Sequence, residues 1–173
     1  MITINPIKNM KKILIVINGT MGVGKSTVAE ALKNELENSV MLDGDWCWMM
    51  NPWRISEENK KMVEKNIVYI LNGFLNNPSF EYIIFTWVLH RENILTKLLS
   101  RIEQNFRLLF FTLTCEENEL IKRMKNDNRD EDNIKNALGR IDLYKIQNSI
   151  KIDTTLKDVI KVVTEIKDRI LSS

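Results

Sequence analysis

Apolar side chains along the chain fall into two patterns, short runs with no polar interruption and longer stretches with a helical repeat. "KKILIVI" (Lys11 to Ile17) is a continuous aliphatic and β-branched run, as expected of a strand covered on both faces. "KSTVAEALKNELEN" (Lys25 to Asn38) sets Val28, Leu32 and Leu36 at helical spacing, with neither proline nor interior glycine. "SVMLD" (Ser39 to Asp43) reads as a second short buried strand. From Ile55 to Asn77, Met62, Ile67, Ile70, Leu71 and Phe74 recur at helical spacing behind Ser56, a candidate N-cap followed by Glu57 and Glu58. Asn76, Asn77 and Pro78 close that helix. "FEYIIFTWVL" reads as a third strand, "ENILTKLLSRIEQN" as a helix, "RLLFFTLTC" as a fourth strand and "EENELIKRMKN" as a helix with an acidic start. The charged, turn-rich "DNRDEDN" leads into a helix through about Leu143. "SIKID" is a fifth short strand, and "TLKDVIKVVTEIKDRI" an amphipathic closing helix. Strands alternating with helices predict an α/β fold of three layers, a five-stranded parallel sheet flanked by helices. The first nine residues are polar and aperiodic and read as a tail leading into the first strand.

Composition narrows the class without choosing a function. A chain of 173 residues suits a single domain spanning 1–173. The formal net charge of +2 is too small to point to nucleic acid or to an anionic membrane surface. No apolar run approaches membrane-spanning length, and no secretory leader is evident, so a cytoplasmic protein is expected. Cys47 and Cys115 are too few for a disulfide framework and lack metal-ligand spacing, so reduced thiols are expected.

Glycine changes the picture. Three of the chain's six glycines, Gly19, Gly22 and Gly24, fall within "NGTMGVGKST", between the first strand and the first helix. Gly19, Gly24, Lys25 and Ser26 occupy every fixed position of G-x-x-x-x-G-K-[ST]. A polyphosphate needs donors on several sides, and a glycine-rich turn can aim successive N–H groups inward. The first turn of the helix behind it adds unpaired N–H groups and a positive dipole end. Gly19, Met21, Gly22, Val23, Gly24, Lys25, Ser26 and Thr27 are therefore expected to bind ATP. Lys25 would reach the β/γ phosphates, and the Ser26 hydroxyl would ligate Mg2+.

Absences narrow the field of nucleotide proteins. The chain has no Asn-Lys-x-Asp base-reading segment of a GTPase. AAA-type and transporter-type ATPases need an apolar strand ending in Asp to hold magnesium and orient water; here "YIIFTW" ends in Thr86 and Trp87, which argues against a machine of that kind. The carboxylates stand instead in "LDGDWCW", at the carboxyl end of the second strand, where a parallel sheet places its ligands. Asp43 would sit beside the metal and Asp45 would position or deprotonate an attacking hydroxyl. Trp46, Trp48 and Trp53 cluster just beyond, with Arg54. Trp46 is taken as a surface for a flat acceptor and Arg54 as a partner for an anionic group. His90, the only histidine, lies just past the third strand and joins the candidate acceptor residues, while Met49, Met50 and Met62 read as core filler.

With these residues in hand, the chain resembles the small P-loop kinases of the shikimate, gluconate and adenylylsulfate kinase type over nearly its whole length. The resemblance implies a three-layer P-loop NTPase fold with a small lid (about 125–133) and acceptor-binding helices (about 45–77). "LDGD" is similar to the adenylylsulfate kinase segment. The shikimate kinase pattern implies a magnesium role for Asp43 and an acceptor contact for Asp45. It also implies a nucleotide contact for Arg123, a catalytic lid role for Arg129, and an acceptor contact for Arg140 four residues before Tyr144. The strand ending in Asp153 and Thr154 matches the closing segment. The shikimate kinase glycine triplet after the third strand is replaced by "TWVLHREN", so the acceptor is expected to differ from shikimate. That stretch is also similar to kinase-like proteins of the antibiotic-resistance group. The expectation is an ATP- and Mg2+-dependent phosphotransferase, monomer or homodimer, acting on a hydroxyl or phosphate of a small, nucleoside-like or nucleotide-like molecule. An antibiotic-resistance-type ATP-binding protein and a non-catalytic nucleotide sensor remain as alternatives. A nucleic-acid end kinase would need a basic groove that the charge balance does not supply.

Overall fold

The computed structural model describes residues 12–172, so the leading polar segment lies outside the described residues. The sheet has five parallel strands, β1 (Ile13–Gly19), β2 (Ser39–Asp43), β3 (Tyr82–Thr86), β4 (Arg107–Thr114) and β5 (Ile150–Asp153), in the spatial order β2-β3-β1-β4-β5. Seven helices connect and follow them: α1 (Lys25–Glu35), α2 (Glu57–Asn76), α3 (Glu92–Leu99), α4 (Glu117–Asn126), α5 (Glu131–Leu138), α6 (Ile141–Lys145) and α7 (Val159–Leu171). The expected α/β architecture is the one observed.

Strand periodicity divides the core. Leu14 and Val16 pack with α2 and α3 on one face, through Val63, Ile67, Leu71 and Leu98. Ile15 and Ile17 point to the other, against Val28 and Leu32 of α1, Leu120 and Met124 of α4, and Ile166 of α7. A continuous aliphatic run is what a strand needs when both faces are covered. Ser56 caps α2, accepting from the Asn59 N–H at 3.2 Å as its position in the sequence implies.

Of the boundaries that differ from the expected ones, α1 ends at Glu35 rather than Asn38 and α7 begins at Val159 rather than Thr155, and three others follow the tertiary structure. β3 ends at Thr86 rather than continuing through Leu89, because the next residues are drawn out of the sheet by buried side chains on β1 and after α6. α3 stops at Leu99, short of Asn105, and Asn72 of α2 captures the following chain through the Arg101 carbonyl and the Glu103 N–H. The helix expected to run to Leu143 breaks at Gly139 and Arg140 into α5 and α6. Periodicity cannot see bonds between elements far apart in sequence.

Parallel strands bring the loops at their carboxyl ends to one edge. Gly19 to Gly24, Asp43 to Asp45, Trp87 to His90 and Thr154 therefore emerge on the same side.

Candidate functional site

The loop between β1 and α1 holds its shape with backbone conformations closed to most residues: φ is 146° at Gly19, 80° at Gly22 and 97° at Gly24. A Cβ on Gly19 would lie 2.7 Å from the Leu113 carbonyl oxygen, so β4 itself excludes a side chain there. At Gly24 a Cβ would meet nothing within 4 Å, which leaves the mouth of α1 open. That helix, like α3, α4 and α6, has no side-chain cap, whereas α2, α5 and α7 are closed by Ser56, Asp130 and Asp158. Its first-turn N–H groups are thus free for an oxyanion. Thr20 anchors the loop from outside, donating to the Ala137 carbonyl at 2.9 Å.

Lys25 is only 9% exposed, and its Nζ donates to the Thr20 carbonyl at 3.0 Å. Burial pushes the ammonium down to about 8, against the opposing pull of Asp45 and Asp43. A buried cation with so little compensation favours an incoming anion. Ser26 Oγ donates to Asp43 Oδ2 at 2.5 Å, and the Asp45 N–H donates to Asp43 Oδ1 at 3.0 Å. Asp45 has its carboxyl held above the usual range, first by loss of water and then by Asp43. Lys25, a hydrogen bond from the Trp87 indole and the charge of Arg129 pull it the other way. Lys25, Ser26, Asp43, Asp45 and Arg129 are therefore electrostatic neighbours, although they come from three separate stretches of chain.

Among the described residues no group of three or more His, Cys, Asp or Glu could hold a metal ion. The Ser26 hydroxyl and the Asp43 carboxylate do offer a hard oxygen pair, which suits a magnesium ion that takes its remaining ligands from water and phosphate.

Two clefts flank the loop. The smaller, about 390 Å³, is bounded by Gly24, Thr27, Arg123, Thr154 and Lys157. Arg123 lies where a nucleotide contact was expected, but its guanidinium is already held by Glu119 (3.0 Å) and by the Thr154 hydroxyl and carbonyl (3.1 and 2.8 Å). The larger, about 880 Å³, has Asp45, Trp48, Trp53, Trp87, His90 and Arg140 in its wall, together with Met21, Met49 and Met50. His90 is held below the usual imidazole range by burial and by Arg140 and Arg91; its Nδ1 is buried without a well-formed hydrogen bond, the Val88 carbonyl offering only a weak one. Burial likewise raises the Tyr144 phenol, whose oxygen has no hydrogen-bond partner among the described residues.

Several expected placements need correcting. Trp46 is 58% exposed and absent from the cleft wall. Gly44–Trp48 forms a 3-10 turn, in which side chains three apart eclipse, so Asp45 and Trp48 share a face and Trp46 turns away. Arg54 is exposed and outside the wall, tied to α2 only through its carbonyl and Asn59. Met49 and Met50 line the cleft, and Met49 and Met62 are exposed, so they do not fill the core. Of the segment 125–133 only residues 127–130 lie outside helices. There Asn128, at φ 54°, closes α4, with the Arg129 N–H bonded to the Met124 carbonyl.

Sequence reading missed a buried polar bracket. Asn18 donates to the Leu89 carbonyl (3.1 Å) and to Gln147 Oε1 (2.6 Å), and accepts from the Leu89 N–H (2.9 Å). Gln147 Nε2 also donates to the Leu89 carbonyl at 2.6 Å. This bracket sets the Trp87–His90 stretch against the cleft. An Asn inside the aliphatic β1 run was the one available signal.

Comparison with known proteins agrees with this architecture. A family model described as an AAA domain matches residues 15–145. No curated protein matches the sequence. Among solved structures, the tunicamycin resistance protein of Deinococcus radiodurans superposes with a TM-score of 0.71 at 20% identity, covering 92% of this chain and 96% of that one. A gluconokinase from Sinorhizobium meliloti 1021 gives 0.66 at 18%, covering 91% and 90%. The shikimate kinase of Bacteroides thetaiotaomicron gives 0.63 at 16%, covering 91% and 98%. At such identities these likenesses establish the fold, a P-loop NTPase fold of the small-kinase type. Among the described residues no helix is long and apolar enough to cross a membrane.

Proposed function

The chain belongs to the AAA domain family, and from that premise we propose that it is an ATP-dependent phosphotransferase acting on a small molecule. Membership corrects the exclusion drawn from β3, which set AAA-type proteins aside. Thr86 and Trp87 still stand where a water-activating enzyme would carry an Asp, and this favours transfer to an acceptor over hydrolysis.

The observation that carries the reading is the meeting of the open end of α1 with Lys25, Ser26, Asp43 and Asp45. In this reading the amides of Met21 to Thr27 and the Lys25 ammonium hold the triphosphate. Ser26 and Asp43 hold magnesium, which would neutralise charge on the phosphates when bound. Asp45 orients the acceptor and takes its proton, its proton affinity being raised by loss of water and by Asp43. Arg129 is exposed and within electrostatic reach of Asp45, so it can approach the oxygens of the group in transit. Arg123 and Thr154 border the nucleoside side, while His90 and Arg140 border the acceptor. The fold likeness to a tunicamycin resistance protein is a reason to include antibiotics among the acceptors assayed.

The test is ADP release with Mg-ATP across a panel of nucleosides, nucleotides, sugar acids and antibiotics. Lys25→Ala should reduce release to background while the protein still melts cooperatively. Asp45→Asn should lower the rate about 10²- to 10⁴-fold with ATP affinity retained. Equal loss of ATP affinity in Asp45→Asn, or full turnover in Lys25→Ala, would contradict the assignment.

A further inference from the structure

We propose that the cleft beside Asp45 takes a hydroxyl carried on a flat, largely apolar body, and discriminates against both phosphomonoesters and open polyols. This rests on the phosphotransferase reading and decides what that reading left open, whether the acceptor atom belongs to an alcohol or to a phosphate.

The first argument is the wall. Trp48, Trp53 and Trp87 bring three of the chain's four indoles to one cleft, and Met49, Met50 and Ile55 lie among them. Trp48 and Trp53 stand with ring centroids 6.2 Å apart and planes tilted by 57°. Trp53 is 62% exposed and Met49 84%, so apolar surface faces water next to a polar reaction centre. A flat apolar body covers that surface and stacks on it. A polyol pressed against the same wall loses water from hydroxyls that find no partner on indole or thioether.

The second argument is the charge at the point of attack. The Asp45 N–H is bonded to Asp43, so two carboxylates stand together where the acceptor atom must arrive. With Asp43 committed to magnesium in this reading, a phosphomonoester would set up to two further negative charges against Asp45. The cations that act on Asp45 are Lys25 and Arg129, both of which serve the nucleotide in this reading. Of the remaining cations in the wall, Lys60 is paired with Glu57 at 2.8 Å, and Arg140, whose charge bears on His90 and Tyr144, is not among those that act on Asp45. A phosphate at Asp45 would therefore draw on the cations that serve the nucleotide, whereas a hydroxyl needs only the carboxylate. In the transfer the hydroxyl oxygen forms a bond to the γ-phosphorus as the bond from that phosphorus to the β,γ-bridging oxygen breaks. The hydroxyl proton passes to Asp45 and then to water, and ADP leaves with the bridging oxygen.

The experiment measures ADP release by the full chain with Mg-ATP and three groups of probes: adenosine, cytidine and 4-hydroxybenzyl alcohol; AMP and CMP; gluconate and shikimate. ATP binding is followed in parallel with a fluorescent analogue. At least one probe of the first group should exceed both other groups in kcat/KM by about tenfold or more. Trp53→Ala should raise the KM for that probe about tenfold without altering affinity for the analogue, and Trp53→Phe should recover most of it. Preference for AMP, CMP, gluconate or shikimate overturns the proposal. So does an unmoved KM in Trp53→Ala, or bound ATP with no response to any probe of the first group. A wild-type chain that fails to bind the ATP analogue overturns the phosphotransferase reading itself, a separate result from loss of acceptor selectivity.

Discussion

On one side of Asp45, Gly19 to Thr27 form a turn of consecutive residues whose shape is set by the main chain, and to which the proposal assigns the triphosphate. On the other side, the large cleft draws its wall from the β1–α1 loop, the 3-10 turn, the stretch before α2, the segment after β3 and the α5–α6 junction. The first region depends on the absence of a Cβ at Gly19, which β4 and the buried Val23 both exclude. The second has the opposite sensitivity, because its character lies in indoles, a carboxylate and a guanidinium. A backbone-made site is fixed by conformation, a side-chain-made site by the packing that aims each group. Substitutions in the loop should therefore act on folding and nucleotide together, and those around the cleft on the acceptor alone.

The largest effect expected of that contrast is Gly19→Ala. The new Cβ would press on the Leu113 carbonyl at 2.7 Å from a φ of 146°, so stability should fall by about 3 kcal/mol and nucleotide affinity with it. Chemical denaturation and ATP titration of the same variant check both; an unchanged midpoint would show that the loop can relax. Gln147→Ala should cost less, about 2 kcal/mol, by leaving part of the Asn18 and Leu89 bracket unpaired. Its distinguishing mark is a higher acceptor KM with ATP affinity unchanged, and equal loss of both would erase the separation of the two regions.

The smallest effect is one of pH. The folded Lys25 amine titrates near 8 against an ordinary value of 10.5, so below pH 8 the folded chain bears the full cost of burying that charge. Between about pH 8 and 10.5 the unfolded chain binds more protons at this group, and its contribution to stability rises with pH. Lys25→Met should therefore melt a few degrees higher than the wild type at pH 7 without nucleotide, with the gap closing towards pH 10. A gap independent of pH would mean that the ammonium is not strained in the free protein.

Legibility followed the same division. The strand, loop and helix around Lys25 were readable because each depends on neighbours within a few residues: an aliphatic run, glycines at positive φ, a helical repeat. Asp43 and Asp45 were readable because a parallel sheet delivers the carboxyl ends of its strands to one edge. Trp46 misled because in a 3-10 turn neighbours in sequence face different ways. Trp87 was legible only as a departure from glycine, not as a donor to Asp45 or a ring against Gly44, where a Cβ would come within 2.5 Å of the indole.

By itself the sequence determined the order of strands and helices, the sharing of the aliphatic residues between two faces of one sheet, and the shape of the glycine turn before α1, since propensity, period and glycine conformation are properties of short segments. Tertiary structure alone decided which indoles line the large cleft, how Asn18 and Gln147 hold the Leu89 backbone, and where β3 and α3 end. Those outcomes rest on hydrogen bonds and contacts between residues far apart in the chain, whose relative positions exist only once the sheet has formed.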